Sequence, residues 1–207
     1  AGPSANISGR PSPTTAQAVY HDLHDRIDMI LDGGACRFGV ESTIVDCTED
    51  VPVILRPGAV TKEMLEELFP VVKIDGAVVG ENVVPKAPGM KYKHYAPQAD
   101  MILFEGNPAK MASAMRAKIK EYENSGKKVG LIVSNEVAAQ LQHPDTAVYG
   151  SQGDLPTIAA EIYECLRFFD DKNVDIILAE GTAGSGIGLA IMNRLHKASG
   201  FNSIFID

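Results

Sequence analysis

Four stretches of the chain carry residue types able to handle a charged substrate. The first is Ser4-Ala5-Asn6 with Gly9-Arg10-Pro11-Ser12-Pro13, which gathers hydroxyls, an amide and one guanidinium ahead of a helical pattern. Side-chain and backbone donors in such a loop can bind phosphate, although Ser, Asn and Pro are also what an ordinary solvated loop with a helix cap contains. The second is Gly39-Val40-Glu41-Ser42-Thr43-Ile44-Val45, where a carboxylate and two hydroxyls open an apolar strand. Period-two alternation sends Glu41 and Thr43 to one face and Ser42 to the other. Arg56 closes the next apolar run, placed for a bidentate contact to phosphate or for a structural ion pair. The fourth is Gly181-Thr182-Ala183-Gly184-Ser185-Gly186-Ile187-Gly188, between a buried-looking strand and a helix. That context suits anion binding, but the loop lacks the Gly-Lys-Ser/Thr ending of a P-loop and the Gly-x-Gly-x-x-Gly order, and a close-packing turn explains it as well. Asn193 and Arg194 lie in the helix that follows, within reach of that loop.

A fifth stretch differs in kind. Ala87-Pro88-Gly89-Met90-Lys91-Tyr92-Lys93-His94-Tyr95-Ala96-Pro97 interleaves cations with tyrosines between two prolines that disfavour helix. It reads as an extended strap, either a plain linker or a cover for an anionic, aromatic ligand. The histidines at 21, 24, 94, 143 and 196 show no metal-ligand spacing, and no Ser-His-Asp order is defensible, so no metal ligand and no catalytic nucleophile is assigned.

These groups need elements to hold them. Apolar steps at Val19, Leu23, Ile27 and Ile30 predict a helix from Thr15 to Leu31, its other face bearing Asp22, Asp25, Arg26 and Asp28. Short strands are expected over 39–45, 52–55 and 71–74. A helix from Thr61 to about Phe69 separates the last two, with Met64, Leu65 and Leu68 inward. After the strap the rhythm changes. Strands near 101–104, 128–133, 147–149, 174–179 and 203–206 alternate with helices over 108–124, 135–141, 155–171 and 188–198, which predicts a mostly parallel sheet in a three-layer α/β arrangement. Ile158, Ile162, Leu166 and Phe169 should form the buried stripe of the third of these helices, with Cys165 as core rather than nucleophile.

Composition narrows the classes. The chain has 207 residues, 45% hydrophobic and 22% charged, an ordinary globular balance. A net charge of -8 argues against direct nucleic-acid binding, which requires a basic footprint. Cys36, Cys47 and Cys165 lack CxxC spacing, which fits a reducing cytoplasm, and no apolar run has the length of a membrane span.

Taken together and in order, Pro3 to Thr14, Gly39 to Asp46, Leu55-Arg56-Pro57-Gly58, Pro88 to Pro97 and Gly188 to Leu195 resemble the two-domain threonylcarbamoyl-AMP synthases of the YrdC/YwlC family. The resemblance implies an enzyme that condenses L-threonine, bicarbonate and ATP to threonylcarbamoyl-adenylate and pyrophosphate, toward threonylcarbamoyladenosine in tRNA. It implies residues 1–85 as the carboxy-terminal portion of a YrdC-like catalytic domain, 86–98 as a Pro-rich linker, and 99–207 as a smaller Rossmann-like domain. The family's amino-terminal half has no counterpart before Ala1, so the chain by itself is expected not to be competent. Carried over by position, Ser4, Asn6, Ser12, Arg56 and Tyr95 would contact ATP, with Tyr95 favoured over Tyr92, while Gly2 and Ser42 would contact L-threonine. Mg2+ would accompany the nucleotide, and downstream tRNA-modifying proteins are the partners implied. The competing reading is a nucleotide-sensing module built on the glycine loop, or a purely structural lid.

Overall fold

Thr15 starts the first helix, α1 (Ala16–Leu23), its hydroxyl accepting the Ala18 N–H at 3.1 Å. The coordinates are a computed structural model that describes residues 4–78 and 97–207. The helix ends at His24 rather than at Leu31. The apolar stripe does continue in sequence, but Ile27 on it is 38% exposed and Met29 and Leu31 beside it are 74% and 87% exposed, too little burial to sustain further helical turns. Strands β1 (Ile44–Asp46) and β2 (Val53–Arg56) pair antiparallel, and the turn between them is fastened by Asp46 Oδ1, which accepts the Thr48 N–H and hydroxyl at 3.0 and 2.7 Å. Residues 39–43, expected as strand, precede the ladder instead.

Thr61 caps α2 (Lys62–Glu66), which is shorter than expected, and Met64 and Leu68 face solvent rather than the core. β3 (Lys73–Ile74) then lies parallel to β2, and a 3₁₀ turn over Gly76–Val78 follows. Residues 87–96 of the strap, Tyr95 among them, and Gly2 fall outside the described residues.

The second half follows the expected alternation closely. Its elements are β4 (Asp100–Gly106), α3 (Pro108–Asn124), β5 (Val129–Val133), α4 (Asn135–Leu141), β6 (Thr146–Val148), α5 (Leu155–Arg167), β7 (Ile176–Glu180), α6 (Gly188–Ala198) and β8 (Ser203–Ile206). The five strands are parallel, in the order β6-β5-β7-β4-β8. β5 and β7 are buried along their whole length, as a sheet covered on both faces requires. Alternation along β4 sends Ile102 and Phe104 into the layer beneath α3 and α4, with Met111 and Met115, and Leu103 into the layer beneath α5 and α6, with Ile162 and Leu195. Ile158, Ile162 and Leu166 are buried as the stripe required; α5 ends at Arg167 rather than Asp171, so Phe169 is buried from the turn that follows, and Cys165 packs among them with its thiol pushed up to about 12 by burial.

The outer surface of α5 and α6 carries the first half of the chain. Val40 joins the core cluster beneath these helices, and Thr14 Oγ1 donates to Glu164 Oε1 at 2.9 Å. Arg167 grips Asp22 with two bonds, of 2.6 and 3.0 Å, and also donates to the carbonyls of Pro11 and Ala18. Asp22, which the helical stripe assigned to the solvent face, is therefore buried at the junction. Gly39 sits so close to α5 that a Cβ there would lie 2.3 Å from the Ala160 carbonyl oxygen. Gly39→Ala should therefore cost about 1–3 kcal/mol by overpacking this junction, measurable by urea denaturation. An unchanged midpoint would show that the contact yields freely.

Candidate functional site

The antiparallel register of β1 and β2 sets Ile44 opposite Arg56, so the segment just before β1 runs alongside the end of β2. Arg56 uses this position. Its Nε donates to the Ser42 carbonyl at 3.0 Å and its Nη2 to Ser42 Oγ at 3.2 Å. The turn after Arg56 is pressed onto the same segment: a Cβ on Gly58 would lie 2.4 Å from the Glu41 carbonyl oxygen and 2.5 Å from the Thr43 nitrogen, so only glycine fits. Thr43 Oγ1 closes the arrangement by donating to the Val60 carbonyl at 2.6 Å. Beside it opens a groove of about 440 Å³ whose walls include Phe38, Val40, Ser42, Val45 and Val60. Arg56 and Ser42, carried over separately as nucleotide and threonine contacts, thus stand against one another.

Behind the groove lies a buried polar cluster centred on Glu41. Ser12 Oγ donates to its Oε1 at 3.0 Å, the Tyr163 hydroxyl on α5 lies 2.9 and 2.8 Å from its two oxygens, and Arg194 on α6 reaches Oε2 with Nε at 3.0 Å and Nη2 at 2.9 Å. Arg194 is fully buried and also donates to the Pro57 carbonyl at 2.8 Å. Burial alone would raise the Glu41 pKa; the Arg194 charge and the Tyr163 hydroxyl overcome it and hold the carboxylate below its ordinary range. Arg194 and Asn193 do not turn back toward the glycine loop as their position in sequence suggested. Asn193 Nδ2 donates to the Val78 carbonyl at 3.2 Å, so both side chains face the first half of the chain. Lys197, three residues on and 3% exposed, sits in the same electrostatic field. Burial and the Arg194 and Arg56 charges lower its pKa to about 8, against the opposing pull of Glu41.

The electrostatic outcome is uneven. The Arg194 charge is compensated by Glu41, whereas Arg56 bonds two neutral oxygens of Ser42 and makes no ion pair among the described residues. Of the first loop, Ser12 joins the Glu41 cluster, Ser4 is exposed, and Asn6 donates to the Ile7 carbonyl while its Oδ1 is buried without a partner among the described residues. The glycine loop reaches the first half too, its Gly186 N–H directed at Glu63 Oε1 at 3.3 Å. Tyr163 and Lys197 were missed from sequence. Their one local signal is a polar group on a helix face that otherwise packs, and it does not say toward what.

The chain matches the family described as "Threonylcarbamoyl-AMP synthase, C-terminal domain" over residues 60–200, and the family described as "Telomere recombination" over residues 1–58. A threonylcarbamoyl-AMP synthase of Bacillus subtilis (strain 168) is 45% identical over 97% of the chain, and one of Pyrococcus abyssi (strain GE5 / Orsay) is 47% identical over 99%. The chain spans 57% and 58% of those relatives' lengths. A crystal structure of P. abyssi Sua5 complexed with L-threonine superposes with a TM-score of 0.91 at 44% identity, covering 99% of this chain and 59% of that one.

The Glu41 cluster makes a pH-dependent prediction. Because the folded pKa of Glu41 lies below its ordinary 4.5, its contribution is complete above that value and is lost as pH falls through the folded pKa. Glu41→Gln, which leaves Arg194 buried without its counter-charge, should cost about 3–5 kcal/mol at pH 7, with a gap that narrows below pH 4.5. Denaturation of both proteins at the two pH values reads this, and a gap of equal size at both refutes it.

Proposed function

The chain belongs to the threonylcarbamoyl-AMP synthase family, and on that premise we propose that it carries part of the machinery of an L-threonylcarbamoyladenylate synthase. In the whole enzyme the threonine amine and bicarbonate would form a carbamate with loss of water, and a carbamate oxygen would attack the α-phosphate of ATP and expel pyrophosphate. The product, threonylcarbamoyl-AMP, feeds threonylcarbamoyladenosine formation in tRNA.

The observation that carries this reading is the state of Arg56, a cation whose partners are the two neutral oxygens of Ser42, a residue that lines the neighbouring groove. Such a group can meet phosphate oxygens while Ser42, held in place by the same guanidinium, presents its hydroxyl to the amino acid. Phosphoryl transfer of this type needs aligned reactants and fixed positive charge more than a protein nucleophile. Ser4, Asn6 and Ser12 would join Arg56 at the nucleotide, the orphaned Asn6 Oδ1 offering an acceptor. Gly2 would contact threonine and Tyr95 the nucleotide, both outside the described residues.

Mg2+ would enter with ATP, neutralising phosphate charge. In this reading the phosphates would be its main ligands. We assign residues 1–85 to the catalytic domain, 86–98 to the linker and 99–207 to the accessory domain, and place the reaction in the cytoplasm. The partners would be L-threonine, bicarbonate, ATP and the proteins that use the adenylate, with no direct hold on nucleic acid. Among the described residues no helix is long and apolar enough to cross a membrane.

Titration calorimetry of ATP against the chain tests the central residue. Removing a hydrogen bond to a charged group costs about 1.5–3 kcal/mol, so Arg56→Ala should weaken ATP binding roughly 10- to 100-fold. An equal dissociation constant for the two proteins would take Arg56 out of the nucleotide site.

A further inference from the structure

The parallel sheet holds a second opening, at a place where open α/β sheets bind ligands. β4 and β7 are neighbours, yet the chain leaving β4 turns into α3 on one face and the chain leaving β7 turns into α6 on the other. Divergence of this kind leaves a crevice beyond the carboxyl ends of the two strands. A cavity of about 320 Å³ occupies it, within the size range of small-molecule sites. Two glycines on its wall are closely packed from behind. Gly106 ends β4 at φ 108°, where a Cβ would lie 2.1 Å from the Ile206 carbonyl oxygen, and at Gly181 a side chain would crowd Met192 and the Phe104 carbonyl.

Its chemistry differs from that of the Arg56 groove. The walls are largely apolar, from Pro108, Met111 and Ala183, and the lining contains no Lys, Arg or His. The polar floor is Glu180, 1% exposed, with Oε1 accepting Gln152 Nε2 at 2.6 Å and Oε2 accepting the Ser134 N–H at 2.7 Å. A carboxylate has about four acceptor positions; Gln152, the Ser134 N–H and the adjacent Tyr149 hydroxyl take up to three, which leaves one for a further donor. Tyr149 gives its hydroxyl to the Glu180 carbonyl at 3.0 Å, and burial and the adjacent Glu180 hold that phenol protonated. A phosphate is the wrong guest for an apolar slot floored by a carboxylate; a neutral molecule with N–H or O–H donors is the right one.

We propose that this crevice is a second small-molecule site, separate from the Arg56–Ser42 groove, which takes an uncharged molecule of nucleoside size whose hydroxyl or amino groups donate to Glu180. The order of preference follows from the lining: each added phosphate weakens binding here, the reverse of what Arg56 favours.

Adenosine, AMP and ATP titrated separately into the ¹⁵N-labelled 207-residue chain, followed by amide shifts, test it. Adenosine should saturate with shifts at Gly106, Gly181 and Thr182, and affinity at those amides should fall from adenosine to AMP to ATP. Glu180→Gln should weaken adenosine binding by about tenfold or more. Because Glu180 also accepts the Ser134 N–H, Ala183→Trp provides the second arm: Ala183 is exposed at the rim, so the indole should fill the slot and abolish binding with the thermal midpoint unchanged. No saturation up to about 10 mM adenosine, shifts confined to residues around Ser42 and Arg56, or full binding by a folded Ala183→Trp protein would each overturn the proposal.

Discussion

One carboxylate, that of Glu41, fixes how the two parts of the chain meet. It takes bonds from Ser12 beside it and from Tyr163 and Arg194 on helices of the second half. Withdrawing both charges of such a pair from water costs several kcal/mol per ion, so the pair adds little net stability over apolar packing. What it adds is intolerance of error. A docking displaced by one helical turn would leave both charges buried and unmatched, whereas an apolar contact could slide. Arg167 and Asp22 repeat the device on α5, with side chains 8% and 0% exposed.

The same cluster determines what remains at the groove. Glu41 consumes the charge of Arg194, leaving Arg56 the cation that faces neutral neighbours. Lys197 contributes less than its type suggests, since with a pKa of about 8 it is partly neutral near physiological pH. The second half therefore supports the groove less by adding charge to it than by holding the Glu41–Thr43 segment in place from behind. Gly58 does the same from the front, because its missing side chain lets the turn after Arg56 lie against that segment.

How much of this was legible depended on how local the governing physics is. In the second half most elements announced themselves by period or cap: Ser134, Asn107 and Asp154 accept helix N–H groups and Ile158, Ile162 and Leu166 of α5 are buried, although α6 starts without a side-chain cap and α5 ends at Arg167 rather than Asp171. The first half gave way where packing was needed and absent. The stripe of α1 runs on through Ile27 and Ile30, but the helix stops at Leu23 with Ile27 38% exposed, and Leu68, assigned inward, is 77% exposed. The glycine loop read as an anion cradle because its own residues permit it; Glu63, which Gly186 faces, lies 123 positions away. Glu41 is the clearest case. Its ordinary strand context gives no hint of partners 122 and 153 positions downstream.

The junction also limits how such a chain can be cut and rejoined. A chimaera that grafted residues 4–78 onto an unrelated sheet would bring Asp22 and Glu41 to a new wall without Arg167 and Arg194 to receive them. Two negative charges would then have to regain water, prising the seam apart, or take up protons at a cost in stability. The incoming helices would need basic groups at two specified places, as well as a small-residue gap where Gly39 meets α5. Apolar complementarity alone would not make the halves interchangeable parts.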